Sequence, residues 1–190
     1  MAKASKIISL EEALQSRSFE DNICVIGVFD GMHVGHQSLI EQAKSYAKEQ
    51  GKKSVIFTFD RDPDEIFGAK DFEKLLDNEQ RIQACVDCGV DIVVIAKFDE
   101  DFYSLSAQEF LDKFFEYLPF AIFVGPEFRF GAQAAGDVES LKKWGRSKVF
   151  KKKFCDESGE RISSTKIRNL LARGELKKAE NLLKNRDCLA

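Results

Sequence analysis

The sequence predicts a doubly wound parallel α/β sheet of about five strands, followed by a helical C-terminal tail. Two observations carry this. Short apolar, β-branched runs (ICVIGVF, SVIFTF, DIVVIA and FAIFV) recur along the chain without polar alternation, as expected of strands buried on both faces. Between them lie segments with apolar residues at helical spacing, and strands that alternate with helices imply parallel crossovers.

The elements follow in order. A brief extended KII precedes Ser9-x-x-Glu12, a capping box that predicts a short helix through Leu14. Ile23 to Phe29 is the first buried strand. From His36, Leu39, Ile40, Ala43, Tyr46 and Ala47 keep helical spacing, and Gly51 stands where a helix C-cap belongs. Ser54 to Phe59 is the second strand. The connection after it, DRDPDEIFGAKDFEKLL, is long for an α/β unit and reads as a lid or binding loop. Asp77-x-x-Gln80 caps a helix that carries Ile82, Cys85 and Val86 inward. Asp91 to Ala96 is the third strand, and Ser106-x-x-Glu109 opens a helix with Phe110, Leu111, Phe114 and Phe115 inside. Phe120 to Val124 is the fourth strand, with a Gly-rich loop, GPEFRFGAQAAG, after it. Asp137 to Trp144 reads as helix and Lys148 to Phe154 as a fifth, more polar strand. From about residue 163 the pattern is helical, with Ile167, Leu170 and Leu171 as a buried stripe and Gly174 as the break before Leu176, Ala179, Leu182 and Leu183.

Composition excludes several classes. A net charge of −3 over 190 residues provides no basic field for nucleic acid. The start, MAKASKIISLEEAL, has no apolar targeting core and no run approaches the ~20 residues of a membrane span, so a cytoplasmic chain is expected. Five irregularly spaced cysteines argue against a disulfide framework. Cys85-x-x-Cys88 lacks the second ligand pair of a structural zinc site, and reads as one core and one half-exposed thiol. The run Lys142, Lys143, Arg146, Lys148 and Lys151 to Lys153 reads as a solvated rim.

Two segments carry chemistry. In GVFDGMHVGHQSLI, Gly27 to Ile40, both histidines of the chain sit in a Gly-rich turn between a strand and a helix N-terminus. Outward-pointing amides and the helix dipole make such a turn a place to hold phosphate. His33 and His36 stand three apart and can face one site, where bound phosphate favours their imidazolium forms. Asp30 has three open roles: to position a substrate group, to help organise a cation, or to cap the turn. The second segment is Ile162-Ser163-Ser164-Thr165-Lys166-Ile167-Arg168. Three hydroxyls, helix N-terminal amides and two cations in about one turn form a candidate polyphosphate clamp. Neither the G-x-x-x-x-G-K-[ST] loop nor G-x-G-x-x-G is present, which excludes a P-loop kinase and an ordinary dinucleotide oxidoreductase. If the sheet is as predicted, Phe29 to Gly31, the loop after Phe59, the loop from Gly125 and the Ser163 turn converge beyond the carboxyl ends of the strands.

G-x-F-D-G-x-H-x-G-H followed far downstream by S-S-T-x-I-R resembles the adenylyltransferase module of prokaryotic FAD synthetases, within the wider nucleotidylyltransferase superfamily of Rossmann-like folds. The likeness runs from about Ile23 to Leu183 and includes TFDRDP, GVDIVV, LSAQEFL and VGPEFRFG in order. It implies one nucleotidylyltransferase domain over residues 1–190 and Mg²⁺-dependent attack of the FMN phosphate on the α-phosphorus of ATP, giving FAD and pyrophosphate. No protein metal site is implied, since Mg²⁺ would arrive on the ATP phosphates. ATP and FMN would be the small-molecule partners, with no nucleic acid and no membrane. His33, His36 and Arg168 would be catalytic. Gly27, Phe29, Asp30, Gly31, Gly35, Gly125, Ser163, Ser164, Thr165 and Lys166 would join them in binding ATP. FMN would lie between Phe59, Asp62, Pro63 and Phe67 on one side and Glu127, Phe128 and Phe130 on the other, with plain loop packing an open alternative for Phe67.

The chain departs from the family at Arg61-Asp62-Pro63, where P-H-P is usual, and at Glu127, where Asp or Asn commonly precedes F-x-F-G. Both departures fall on the acceptor side. They leave open transfer to another acceptor, such as a pantetheine phosphate, nicotinamide mononucleotide or an alcohol phosphate, and also a module that binds nucleotide without turnover. A riboflavin kinase domain would need on the order of 100 further residues beyond Ala190, so kinase activity is not expected.

Overall fold

The computed structural model describes residues 5–68, 73–116, 118–155 and 159–183. Cys188 and part of the long loop after Phe59 lie outside the described residues. The core is a six-stranded, all-parallel sheet of β1 (Lys6–Ser9), β2 (Ile23–Ile26), β3 (Ser54–Phe59), β4 (Ile92–Ala96), β5 (Ala121–Val124) and β8 (Lys148–Lys151). Their order is β1-β4-β3-β2-β5-β8. A two-stranded antiparallel ribbon, β6 (Arg129–Phe130) with β7 (Gly136–Asp137), stands apart in the loop after β5.

Every residue of β2 and β5 is buried, which explains their unbroken apolar runs. Alternate side chains feed two cores. Ile23 and Val25 pack on the face covered by α2 (Val34–Glu49), α4 (Asn78–Asp87), α8 (Ser164–Ala172) and α9 (Leu176–Leu183). Cys24 and Ile26 pack on the face covered by α1 (Leu10–Gln15), α6 (Ala107–Phe114) and α7 (Val138–Trp144). Two short helices, α3 (Asp64–Phe67) and α5 (Glu100–Tyr103), sit in the loops. The capping boxes expected at Ser9–Glu12, Asp77–Gln80 and Ser106–Glu109 are formed; such caps are typically worth ~1 kcal/mol each.

Several details differ from expectation. In the C-terminal tail Leu171 and Leu176 are exposed, and the buried positions are Ile167, Ala179 and Leu182. The extended KII is a sixth sheet strand, pairing along β4 from Lys6↔Ile92 to Ser9↔Ile95. Only Ile8 of the four is buried, so the run was too short and half-exposed to announce itself as sheet. The first strand ends at Ile26, because Phe29 turns into the left-handed region at φ 64°. In α4 the inward positions are Arg81, Ala84 and Cys85, with Ile82 and Val86 half-buried. Cys88 is buried alongside Cys85 and not half-exposed; among the described residues no group of three or more His, Cys, Asp or Glu is placed to hold a metal ion.

Candidate active site

On either side of β2 the chain leaves the sheet in opposite senses, to β3 and onward to β4 on one side and to β5 and β8 on the other. A parallel sheet opens a crevice at this switch point, beyond the carboxyl ends of its strands. Here the crevice is a cavity of about 920 Å³, walled by the turn after β2, the loops after β3 and β5, and the start of α8. The four predicted loops therefore meet. Of the predicted residues, Gly27, Phe29, Asp30, His33, His36, Gly125, Ser163, Ser164, Thr165 and Arg168 line one part, and Phe59, Asp62, Pro63, Phe67, Glu127, Phe128 and Phe130 the other.

His33 is the N-cap of α2: its Nδ1 accepts the His36 backbone N–H at 3.3 Å. With Nδ1 accepting, the neutral ring carries its proton on Nε2. The two imidazoles stack with centroids 3.6 Å apart and planes 15° from parallel. Phe29 and Phe154 close on His36 edge-on, at 5.4 and 5.5 Å. Burial pushes His33 down to about 4, and burial followed by the neighbouring His33 charge holds His36 well below its ordinary value. The pair is thus neutral at pH 7 without ligand. An anion alongside would reverse that preference, because it offsets the desolvation of each ring's charged form.

Arg168 and Asp30 join the two motif segments. Asp30 is buried; its Oδ1 accepts the Leu75 N–H at 3.2 Å and its Oδ2 accepts from Arg168 Nη1 at 2.7 Å. Ser164 Oγ donates to the Asp30 carbonyl at 2.9 Å. Asp30 thus anchors α8 to the turn after β2. Ser163 is the N-cap of α8, accepting the Lys166 N–H at 3.2 Å, and Ser163, Ser164 and Thr165 at the start of this nine-residue helix line the cleft.

Three predicted residues are placed otherwise. Gly31, at φ +69°, faces Leu75: a Cβ there would meet Leu75 Cδ1 at 2.6 Å, so it packs closely under the turn and does not line the cavity. Gly35 lies against Phe154, where a Cβ would meet ring carbon Cγ at 2.7 Å. It lines a second, more polar cavity of about 1310 Å³ on the other side of Phe154. Lys166 also lines that second cavity and pairs with Glu160 at 2.7 Å.

The part of the cavity walled by the loops after β3 and β5 is aromatic. Phe128 and Phe130 stack at 5.6 Å, and Phe59 packs edge-on against Phe98 and Phe102 at 5.3 and 5.4 Å. Phe67 is 62% exposed yet held against Tyr103 at 5.0 Å, so it both packs the loop and edges the cavity. Glu127 pairs with Arg161 across the mouth. Asp62 is buried; its Oδ1 accepts the Asp64 N–H at 2.9 Å, and burial pushes its carboxyl up to about 6.

Sequence reasoning misses Phe154, which falls in the expected fifth strand but walls both cavities, and Arg81, whose guanidinium donates to the Val28 carbonyl behind the turn after β2. The spacing Arg81, Ala84, Cys85, Cys88 on one face of α4 was the available signal.

The family model for FAD synthetase matches residues 15–166. A putative bifunctional riboflavin kinase/FMN adenylyltransferase of Geobacillus thermodenitrificans (strain NG80-2) is 31% identical over 176 residues, covering 93% of this chain and 97% of that one. A bifunctional riboflavin kinase/FMN adenylyltransferase of Escherichia coli (strain K12) is 35% identical over 171 residues, 86% of this chain but 54% of that protein, so the chain spans about half the length of that relative. Among solved structures, one described as a macrolide-efflux protein from Streptococcus pneumoniae matches with TM-score 0.74 and 31% identity, over 86% of this chain and 64% of that one. A pantoate-β-alanine ligase from Francisella tularensis matches with TM-score 0.57 at 15% identity, over 96% and 80%, a likeness of fold alone. With its first motif, most of its sheet and the start of its second motif inside the matched span, the chain belongs to the FAD synthetase family.

Proposed function

We propose that the chain transfers the adenylyl group of ATP to FMN, giving FAD and pyrophosphate, by direct attack of the FMN phosphate on the ATP α-phosphorus. The observation that carries this is the single cleft in which the two phosphate-holding segments, tied by Arg168 and Asp30, face an aromatic slot across the switch point. The bond from the α-phosphorus to the FMN phosphate oxygen forms as the bond to the leaving pyrophosphate breaks, so no covalent enzyme intermediate is needed. Catalysis then rests on holding the two anions in line and stabilising charge that shifts to the leaving group.

In this reading the α8 amides, Ser164, Thr165 and Arg168 hold the triphosphate, and His33 and His36 donate to the reacting phosphates once these anions favour their charged forms. Phe128 and Phe130 offer a flat apolar face to the isoalloxazine. Mg²⁺ arrives on the ATP phosphates and neutralises part of their charge. The test is purified protein with ATP, Mg²⁺ and FMN, resolved chromatographically for FAD and pyrophosphate. Absence of FAD under conditions where ATP binds would overturn the flavin assignment.

One observation favours a second reading, transfer to a different phosphorylated acceptor: the buried carboxyl of Asp62 in the acceptor wall. Pyrophosphate release measured across a panel of phosphorylated acceptors separates the two.

A further inference from the structure

Arg81 is 1% exposed. Its Nη1 donates to the Val28 carbonyl at 2.9 Å and to Thr58 Oγ1 at 3.0 Å, and its Nη2 to the Phe59 carbonyl at 2.7 Å and to Asn78 Oδ1 at 3.4 Å. All four acceptors are neutral oxygens, and Nε has no partner among the described residues. An arginine stays charged under any ordinary condition, and a buried charge is costly unless it is hydrogen-bonded. Apolar burial therefore does not account for a guanidinium here.

Its acceptors indicate what does. The ladder between β2 and β3 runs in register to Ile26↔Phe57, with Gly27 N–H donating to the Phe57 carbonyl at 3.2 Å. Two residues farther on stand Val28 and Phe59, where the left-handed Phe29 takes the chain out of the sheet. The planar guanidinium fork bridges these two carbonyls, continuing the pairing one step past the end of the ladder. Val28 leads directly into Phe29 and Asp30 of the donor turn, and Phe59 into Asp62 and Pro63 of the acceptor loop.

We propose that Arg81 is a positioning residue for adenylyl transfer, its guanidinium fixing the separation of the donor turn Val28–Asp30 from the acceptor loop Phe59–Asp62. It rests on the reading of the cleft given above. The residue touches neither substrate; it acts through two backbone carbonyls. It also places fixed positive charge beneath a cleft read as taking two anions.

The test compares Arg81→Met, Arg81→Lys and Thr58→Val with the wild type, each assayed well below its melting midpoint. The wild type must first make FAD; if it does not, the functional reading fails whatever Arg81 does. For each protein, kcat and KM are measured beside the separate binding of FMN, by flavin fluorescence, and of ATP, by calorimetry. Arg81→Met is expected to lower kcat about 10- to 100-fold, the effect of a small misplacement of reacting groups, with single-substrate affinities little changed. Arg81→Lys should recover part of the loss, since an ammonium reaches the carbonyls without holding them in one plane. Thr58→Val keeps both of Arg81's carbonyl contacts but loses the Thr58 Oγ1 bond to the Val28 carbonyl at 3.3 Å, so it should lose clearly less kcat than Arg81→Met. A folded Arg81→Met with wild-type kcat overturns the proposal. So does a loss of substrate affinity and melting midpoint in proportion, or a Thr58→Val as impaired as Arg81→Met. If Arg81→Met does not fold, Arg81→Lys carries the test, and failure of both to fold assigns the residue to stability and overturns the proposal.

Discussion

Arg168 Nη1 lies 2.7 Å from Asp30 Oδ2, so the cation that the second motif brings to the cleft is already held by a carboxylate. That bond fixes the guanidinium's direction at the cleft. Arg168→Ala is expected to lower kcat by about 10²- to 10³-fold, the range for losing one donor to developing charge. Arg168→Lys should fall between. Asp30→Ala removes the anchor and the acceptor for Leu75, and should cost about 1–3 kcal/mol of stability. Steady-state kinetics and denaturant titration check these. Wild-type turnover in Arg168→Ala would remove that residue from the site.

The stacked imidazoles are neutral in the ligand-free protein because burial disfavours their charged forms. ATP binding near pH 7 should therefore take up protons, and its calorimetric heat should vary with the ionisation enthalpy of the buffer. His36→Ala should depress kcat more than FMN affinity, because its partner in the proposed reaction is phosphate. Equal heats in all buffers would contradict the proton uptake, and unchanged kcat the catalytic role. Without ligand the same pair links stability to pH. Folded, His33 titrates at about 4 against an ordinary 6.5, so the unfolded chain holds the extra proton between those values. Its contribution is complete above pH 6.5 and declines as pH falls toward 4.

Asp62 pulls the other way. Its carboxyl is raised to about 6 from 3.8, so the native state keeps a proton that the unfolded chain has lost, and its contribution declines as pH rises through 6. Asp62→Asn retains an oxygen to accept the Asp64 N–H and should raise the melting midpoint above pH 6 by a few degrees, the response to ~1 kcal/mol in a domain this size. An ionised Asp62 also repels an anionic acceptor. The KM for FMN should therefore climb as pH passes 6 in the wild type and stay flatter in Asp62→Asn. Asp62→His should lower the KM for FMN; identical FMN kinetics in all three proteins would take Asp62 out of the acceptor site.

Gly35 and Phe154 are in contact so close that Gly35→Ala must move the ring. Overpacking of this kind costs about 1–3 kcal/mol, and because Phe154 also rests edge-on against both imidazoles, kcat should fall with it. Phe154→Ala should therefore cost less stability in the Gly35→Ala background than in the wild type. A double-mutant cycle measures this, and strictly additive effects would show that the two do not press on each other.

Much of this was legible in the residues themselves. Capping boxes fixed helix starts at Ser9, Asp77 and Ser106, and unbroken apolar runs fixed β2 to β5, because both signals are local. Ser164 and Arg168, four apart on α8, share a flank, whereas Lys166, two residues along, belongs on the other; helical phase alone would have turned it away from the cleft. Glycine identity said that Gly31 and Gly35 meet something close, but not whether it was a ligand or the side chains of Leu75 and Phe154. Arg81 was hidden for a different reason. Hydrophobic pattern recognises only apolar insides, and a charged residue buried for its hydrogen bonds looks like surface until its partners from β2 and β3 are in place.

The tie between Asp30 and Arg168 spans 138 residues, and that between Ser164 and the Asp30 carbonyl spans 134. During synthesis the first motif therefore leaves the ribosome long before its counterpart exists, and the two cannot meet until the intervening sheet has brought them together. Contacts this distant form late, after the entropy of closing so long a loop has been met. A nucleotide that engages both motifs would act on the final stage of folding and on the slow first opening of the finished molecule. A nascent chain released before α8 would carry a Gly-rich turn with two histidines and nothing of the second motif.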